Sequence, residues 1–236
     1  TYYIYRPLWT YTAESYNSKI SMIFQATNFD QNNITPKNYL CLMNWPEYYL
    51  FNESQKKYFQ NKLNFKSKIK IQKYIDFNDG NKKLKKKYDL VIFDDPPYRE
   101  LFSSIFLKNR DHWNIEGCYN FIKDIHDICK KLEIKACIKQ KKKSDHMVSR
   151  KYTKFINQIS QLIDLIDPDF SPREVIENSK LVISFPYSTT NSLAENLNKK
   201  NTFYYPGKLT NKWLFDDGKK VITDKKDLEN WLKTNF

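Results

Sequence analysis

Glycine is scarce in this chain: Gly80, Gly117, Gly207 and Gly218 are the only four among 236 residues, and none stands in a GxGxxG or Walker arrangement. Loops that let the backbone close around a phosphate are built from glycine, so the scarcity argues against dinucleotide-type and P-loop binding. Cysteine is as sparse. Cys41, Cys118, Cys129 and Cys137 are scattered through apolar segments, with no CxxC pair and no histidine at metal-ligand spacing. That pattern reads as buried, reduced thiols of a cytosolic protein rather than a disulfide framework or a zinc site. No run approaches the roughly 18 to 20 apolar residues of a spanning helix. The opening TYYIYRPLWTYTAESY lacks the charged-then-apolar order of a signal peptide. Zinc-finger spacing, the aromatic RNP motif and the GxxG loop of nucleic-acid modules are missing too.

What the chain has in quantity is lysine. Its net charge of +13 attracts phosphates at long range. The densest runs, NKKLKKKYD (81 to 89) and IKQKKKSDH (138 to 146), flank apparent strands. Three readings follow: a solvated basic face first, an anionic small substrate or membrane headgroup second, and specific nucleic-acid recognition a distant third. Aromatics reach 16% but are spread along the chain instead of forming a stacking array.

At roughly 100 to 150 residues per domain, the length suits one sizeable core or two small lobes. The second half is the more legible. YDLVIFDD (88 to 95) is an apolar run stopped by two acids and Pro96-Pro97, which predicts a buried strand ending in a loop. In 118 to 134, Phe121, Ile122, Ile125, Ile128, Cys129 and Leu132 recur at helical spacing. KACIKQ (135 to 140) predicts a short strand, and 149 to 166 a helix followed by a strand or turn. Ser171 and Pro172 mark a helix start. KLVISFP (180 to 186) predicts another buried strand, followed by a helix from about Thr190 to Lys200, strands at TFYYP and KKVIT, and a terminal helix from 225 to 236. Such alternation implies a parallel sheet covered by helices on both faces, a doubly wound α/β arrangement. The first half repeats the theme more weakly, with strands expected at 19 to 29, 38 to 46 and 67 to 77 and a helix at 53 to 63. The lysine-rich stretch near Gly80 suggests a division into 1 to 85 and 86 to 236.

In an open parallel sheet, ligands gather beyond the carboxyl ends of the strands, where loops meet helix N-termini. Those termini carry unpaired N–H groups and about half a positive charge, which stabilise a phosphate. After the strand ending near Phe185, Ser188, Thr189 and Thr190 stand at the start of a helix. They serve either as a plain N-cap or as hydroxyl donors to an anion.

The series DPDFSPREVIENSKLVISFPYSTTNSLAENLNKKNTFYYPG (167 to 207) resembles the C-terminal lobe of GT-B glycosyltransferases. More narrowly, VIFDDPPYRE, the lysine-rich end of ACIKQKKK and SFPYSTT resemble bacterial surface-polysaccharide transferases, including those using CMP-Kdo or related ulosonic acids. The resemblance covers about residues 40 to 207. It implies two Rossmann-like lobes, an N-terminal one on the acceptor side, whole or truncated, and a C-terminal one that binds the nucleotide sugar. It also implies that Ser188 and Thr189 contact donor phosphate, that Lys139 and Lys141 lie beside the nucleotide, and that Glu195 bonds ribose or base. Gln140 departs from the proline that relatives carry between those lysines.

Displacing an activated sugar requires a carboxylate to deprotonate the acceptor or attack the anomeric carbon. Asp94 and Asp95, closing a predicted strand, are the candidates, and Arg99 could pair with a donor carboxylate. The alternative is a turn in which Asp95 caps Pro96-Pro97 and Arg99 pairs with a neighbouring acid. His126 lies in an amphipathic helix and reads as structural; His112 and His146 are weaker candidates.

The resulting expectation is a metal-independent, cofactor-free glycosyltransferase, cytoplasmic or peripheral to the inner face of the membrane. Its partners would be a nucleotide-sugar donor and a glycan or glycolipid acceptor, without specific nucleic acid. Other readings are a UDP- or GDP-sugar transferase, a nucleotide-sugar epimerase or hydrolase, and a non-catalytic module binding polyanions.

Overall fold

Short apolar runs closed by turn residues become strands, and longer stretches with a 3.6-residue apolar repeat become helices. The computed structural model describes residues 6–23, 45–51, 53–62, 67–72, 83–100, 115–140, 148–160, 163–186, 188–207 and 221–236. The chain divides into two compact units. The first draws its described residues from Thr1–Ile75, and the second from Asp76–Thr210 and Lys219–Phe236.

The first unit contains helix α1 (Leu8–Ser15), strands β1 (Met22–Ile23) and β2 (Glu47–Leu50), helix α2 (Glu53–Lys62) and strand β3 (Lys68–Ile71). Its three strands are parallel in the order β1-β2-β3. Tyr48 and Leu50 of the central strand are buried. The strand expected at 38 to 46 falls mostly outside the described residues, and Trp45 and Pro46 are not extended into a ladder; pairing starts at Glu47. Proline has no N–H to donate, which fits a strand that begins only after it.

The second unit runs β4 (Tyr88–Phe93), α3 (Ile115–Lys131), β5 (Ala136–Lys139), α4 (Arg150–Ile159), β6 (Asp164–Ile166), α5 (Pro172–Glu177), β7 (Ser179–Ser184), α6 (Thr189–Asn196), β8 (Lys200–Tyr204), β9 (Val221–Ile222) and α7 (Lys225–Asn235). The six strands are parallel in the order β6-β5-β4-β7-β8-β9. Counted within the unit, this is the doubly wound order 3-2-1-4-5-6, whose progression reverses between β4 and β7. The predicted α/β fold with a parallel sheet is therefore present.

Alternation along the inner strands supplies two faces. Leu90, Ile92, Ala136, Ile138, Leu181 and Ile183 share one core with Phe121, Ile122 and Ile125 of α3, Tyr152 and Ile156 of α4, and Leu228 and Leu232 of α7. Val91, Cys137 and Val182 are buried on the other face, and α5 and α6 pack against β7 and its neighbours. Phe185, one residue beyond β7, meets the Phe121 ring edge-on at 5.3 Å and that of Tyr205 at 5.5 Å. Ser171 caps α5 as expected, accepting from the N–H groups of Arg173 at 3.1 Å and Glu174 at 3.4 Å. Helix α6 ends four residues earlier than expected. Asn198 takes a left-handed φ of 54°, a conformation that terminates helices, and Lys200 already belongs to β8.

Phe121 is fully buried, so Phe121→Ala should destabilise the second unit by about 3 to 5 kcal/mol, read as a lower urea midpoint. Replacing the exposed Lys123 of the same helix by alanine should change stability by less than about 0.5 kcal/mol.

Candidate functional site

Three neighbouring strands end together where the strand order reverses. Phe93 of β4 is in register with Lys139 of β5 on one side and Ser184 of β7 on the other. The Phe185 N–H continues the ladder to the Phe93 carbonyl at 2.9 Å. The next residue on β4 is Asp94, so an acid, a lysine and a hydroxyl line up at one edge of the sheet.

Asp94 is only 5% exposed. Its Oδ2 accepts a hydrogen bond from the Tyr152 hydroxyl of α4 at 2.8 Å, while its Oδ1 has no partner. The loop carrying it is tied to the start of α4: Ser149 N–H donates to the Pro97 carbonyl at 2.9 Å, and Tyr98 forms an antiparallel bridge with Val148. Burial pushes the Asp94 carboxyl up from an ordinary value near 3.8 to about 7. The Tyr152 hydrogen bond opposes this, the Asp95 charge adds to it, and Lys139 opposes it weakly. A carboxyl that titrates near neutrality can hold or release a proton at working pH. Asp95 is half-buried and Arg99 exposed.

Lys139 is 4% exposed. Its Nζ donates to the carbonyls of Gln140 and Pro168, both at 2.9 Å, which ties the end of β5 to the loop after β6. Burial pulls its pKa down, against the opposing charges of Asp94, Asp167 and Asp169. Two of the three ammonium protons are thus committed to backbone. Lys141 lies outside the described residues, as do His112 and His146.

The hydroxyls beyond β7 form a chain. Ser184 Oγ lies 2.9 Å from Thr190 Oγ1, which lies 2.8 Å from Ser188 Oγ. Ser188 is the N-cap of α6, its side chain accepting from the Thr190 N–H at 3.5 Å. Three hydroxyl protons serve two bonds between hydroxyls, so one proton is left over. Either oxygen of each pair can donate; the order Ser184 to Thr190 to Ser188 is the one that strands no proton at fully buried Ser184. The unused proton is then on half-buried Ser188 at the helix N-terminus. Thr189 is the first residue of α6 and half-buried. Glu195, exposed, is the penultimate residue of α6, roughly 9 Å of helix beyond Thr189 at 1.5 Å per residue. Asp94, Lys139, Ser188, Thr189 and Thr190 thus all lie at or just beyond the strand ends, with Glu195 further along α6.

Three polar residues here carry no sequence signal. Tyr152 sits in the apolar stripe of α4, Ser184 ends a buried strand, and Asn191 occupies the first turn of α6. Asn191 is completely buried with both amide atoms unpartnered. Among the described residues, no group of three or more His, Cys, Asp or Glu could hold a metal ion. The three described cysteines are buried thiols. Among those residues, too, no helix is long and apolar enough to cross a membrane.

Because Asp94 is protonated more readily in the folded than in the unfolded chain, its contribution to stability is present at acidic pH and lost as pH rises from about 4 through about 7. The full effect is on the order of 4 kcal/mol. Asp94→Asn retains an acceptor for Tyr152 and cannot ionise. Its melting temperature relative to wild type should rise between pH 5 and pH 8; a constant difference would mean that Asp94 ionises freely in the fold.

No curated protein matches this chain. Among solved structures, it is similar to one titled "Crystal structure of GtfA/B complex", at 12% identity and a TM-score of 0.47 over 96% of this chain. This chain spans 47% of the length of that one. A likeness at that level transfers no residue role and no activity. The family described as "Polysaccharide biosynthesis PFTS motif protein" matches residues 1–232, and the chain belongs to that family.

Proposed function

We propose that the chain is a GT-B-type glycosyltransferase that moves a sugar from a nucleotide donor to a surface-glycan acceptor without an obligatory metal. The observation that carries this reading is that the two strands flanking the reversal of strand order lead, at the same edge of the sheet, into the Asp94 carboxyl and into a helix N-terminus capped by hydroxyls. The family's description supports it, since polysaccharide biosynthesis requires glycosyl transfer. In one-letter code its PFTS motif has the order proline, aromatic, hydroxyl, hydroxyl, and Pro186-Tyr187-Ser188-Thr189 has the same order.

The donor phosphate is held at the start of α6, where the N–H groups of the first turn and the free Ser188 proton neutralise the charge that builds up as the nucleotide leaves. Asp94, ionised, takes the proton of the acceptor hydroxyl. The acceptor oxygen forms its bond to the anomeric carbon, and the electron pair of the broken carbon–oxygen bond leaves with the phosphate. Asp95, Lys139 and Lys141 shape the field around the leaving group, and Arg99 pairs with the carboxylate of an ulosonic-acid donor. CMP-Kdo or a related CMP-ulosonic sugar is the first donor to test, and UDP and GDP sugars follow. Glu195 contacts ribose or base in this reading only from the distal end of α6. Peripheral contact with anionic lipid is consistent with the net charge of +13.

Calorimetric titration with CMP, UDP and GDP should give selective binding of one nucleotide. Combined Ser188→Ala and Thr189→Ala should weaken it by about 1 to 3 kcal/mol. Asp94→Asn should leave nucleotide affinity nearly unchanged while sugar transfer falls by about two to four orders of magnitude. Unchanged affinity in the hydroxyl double variant removes the phosphate site. Salt-sensitive binding of any polyanion, with no nucleotide preference, favours a non-catalytic binding module instead.

A further inference from the structure

We propose that Tyr152 is a positioning residue for Asp94: by donating to Oδ2 it confines the exchangeable proton of the carboxyl to Oδ1, the oxygen without a protein partner. The inference rests on the reading of Asp94 as the proton-transferring carboxyl and names the residue that decides which of its oxygens works.

The argument begins with the phenol. Tyr152 is 2% exposed, and its hydroxyl has one hydrogen bond, to Asp94 Oδ2 at 2.8 Å. Reversing that bond, with Asp94 donating to the phenol oxygen, would strand the phenolic proton among the apolar neighbours of α4. A stranded buried donor costs about 1 to 3 kcal/mol, so the phenol remains the donor. Burial and the adjacent Asp94 also hold the Tyr152 phenol well above its ordinary range. It therefore keeps its proton across the whole interval in which Asp94 titrates.

With Oδ2 occupied, the carboxyl gains and loses its proton at Oδ1. That atom is buried and unpartnered, so neither of its states is satisfied by the protein. Ionised, it requires a donor such as an acceptor-substrate hydroxyl; protonated, it requires an acceptor such as the oxygen of that substrate. When the hydroxyl proton passes to Oδ1, the Tyr152 bond to Oδ2 is unchanged, and no second proton moves.

The other groups that face the carboxyl set its level and not its choice of oxygen. Asp95, the next residue, raises its pKa. Lys139 on β5 and the backbone hydrogen bond at Asp94 lower it. Cys118 on α3 lies close enough to feel Asp94 and Asp95, and burial holds its thiol well above the ordinary range, so it contributes no charge. Among the described side chains, Tyr152 is the hydrogen-bond donor to the carboxyl, and it donates to Oδ2.

The test is a carbon-13 NMR titration of aspartate carboxyls in the full chain, with the Asp94 signal assigned by its loss in Asp94→Asn. In Tyr152→Phe the Asp94 midpoint should move upward from about 7, because a hydrogen bond favouring the ionised form is gone. Site-specific 3-fluorotyrosine at 152, a stronger donor of nearly equal size, should move it downward, and this variant preserves the packing if Tyr152→Phe folds poorly. Shifts of opposite sign support the inference, because a merely structural role for Tyr152 would not reverse with donor strength. A midpoint that stays fixed in both variants, or moves the same way in both, overturns it. The pH dependence of sugar transfer separates the two claims. An activity limb that follows the NMR midpoint supports both, whereas a midpoint that moves beneath an unmoved limb leaves Tyr152 in its role and removes Asp94 from catalysis.

Discussion

The parallel pairing of β4 with β7 is the constraint on which the site depends. These strands are adjacent in the sheet but separated by two strands and three described helices in the chain. Their pairing reverses the order of strands. Connections on either side of a reversal diverge, which opens space beyond the strand ends. The register then decides what borders that space. Phe93 opposite Ser184 brings the segment carrying Asp94 and the segment carrying the hydroxyl run out of the sheet at the same edge. A slip of one residue would turn Asp94 to the opposite face of the sheet, away from Tyr152. The apolar residues on both strands oppose such a slip, because Leu90, Ile92, Leu181 and Ile183 would leave the core they share with α3, α4 and α7.

The scarcity of glycine shapes how this edge can meet an anion. Many nucleotide sites bring the backbone close to phosphate through a glycine-rich turn. The segment from Phe185 to Ser188 contains none, and Phe185 is locked between the rings of Phe121 and Tyr205. Close approach therefore falls to side chains and to the helix end itself. The three-hydroxyl chain from Ser184 to Ser188 meets that need. Each hydroxyl polarises the next, and the proton left over emerges at the one position that is both a helix cap and partly accessible.

Much of the second unit was legible in its sequence because each central element has a strong local period. β4, β5 and β7 are uninterrupted apolar runs, α3 carries its apolar residues at helical spacing, and Ser171-Pro172 announces α5. The order of the strands was not legible, since it arises from pairings between residues far apart in the chain. The same holds for the site. Asp94, Ser188 and Thr190 advertise themselves as polar residues at the ends of apolar segments. Tyr152 cannot, because its hydroxyl meets a carboxyl 58 residues away and its ring belongs to an ordinary core stripe. Lys139 looked like the start of a solvated lysine run but is buried as the last residue of β5. Glu195 lies in the second turn of α6, where the sequence placed it, and the left-handed Asn198 sets only where that helix ends.

The distribution of charge across the second unit separates structural from functional groups. Most of its ionic contacts lie at the surface: Lys131 with Glu229 at 2.8 Å, Lys180 with Asp89 at 2.9 Å, and Arg173 with Glu177 at 2.8 Å. Exposed pairs of this kind contribute about 0 to 1 kcal/mol each. They make the surface soluble without specifying a function. At the carboxyl edge of the sheet the balance differs, because Asp94 and Lys139 are both withdrawn from water. Lys139 recovers much of its lost hydration from two carbonyls, so its burial is compatible with a purely architectural role. Asp94 does not: one oxygen is satisfied and the other is not. A fold selected for stability alone could place an apolar residue there, since replacing buried charges with apolar groups is often neutral or stabilising. An incompletely satisfied acid at the reversal of strand order is better explained by a partner that arrives from outside the chain.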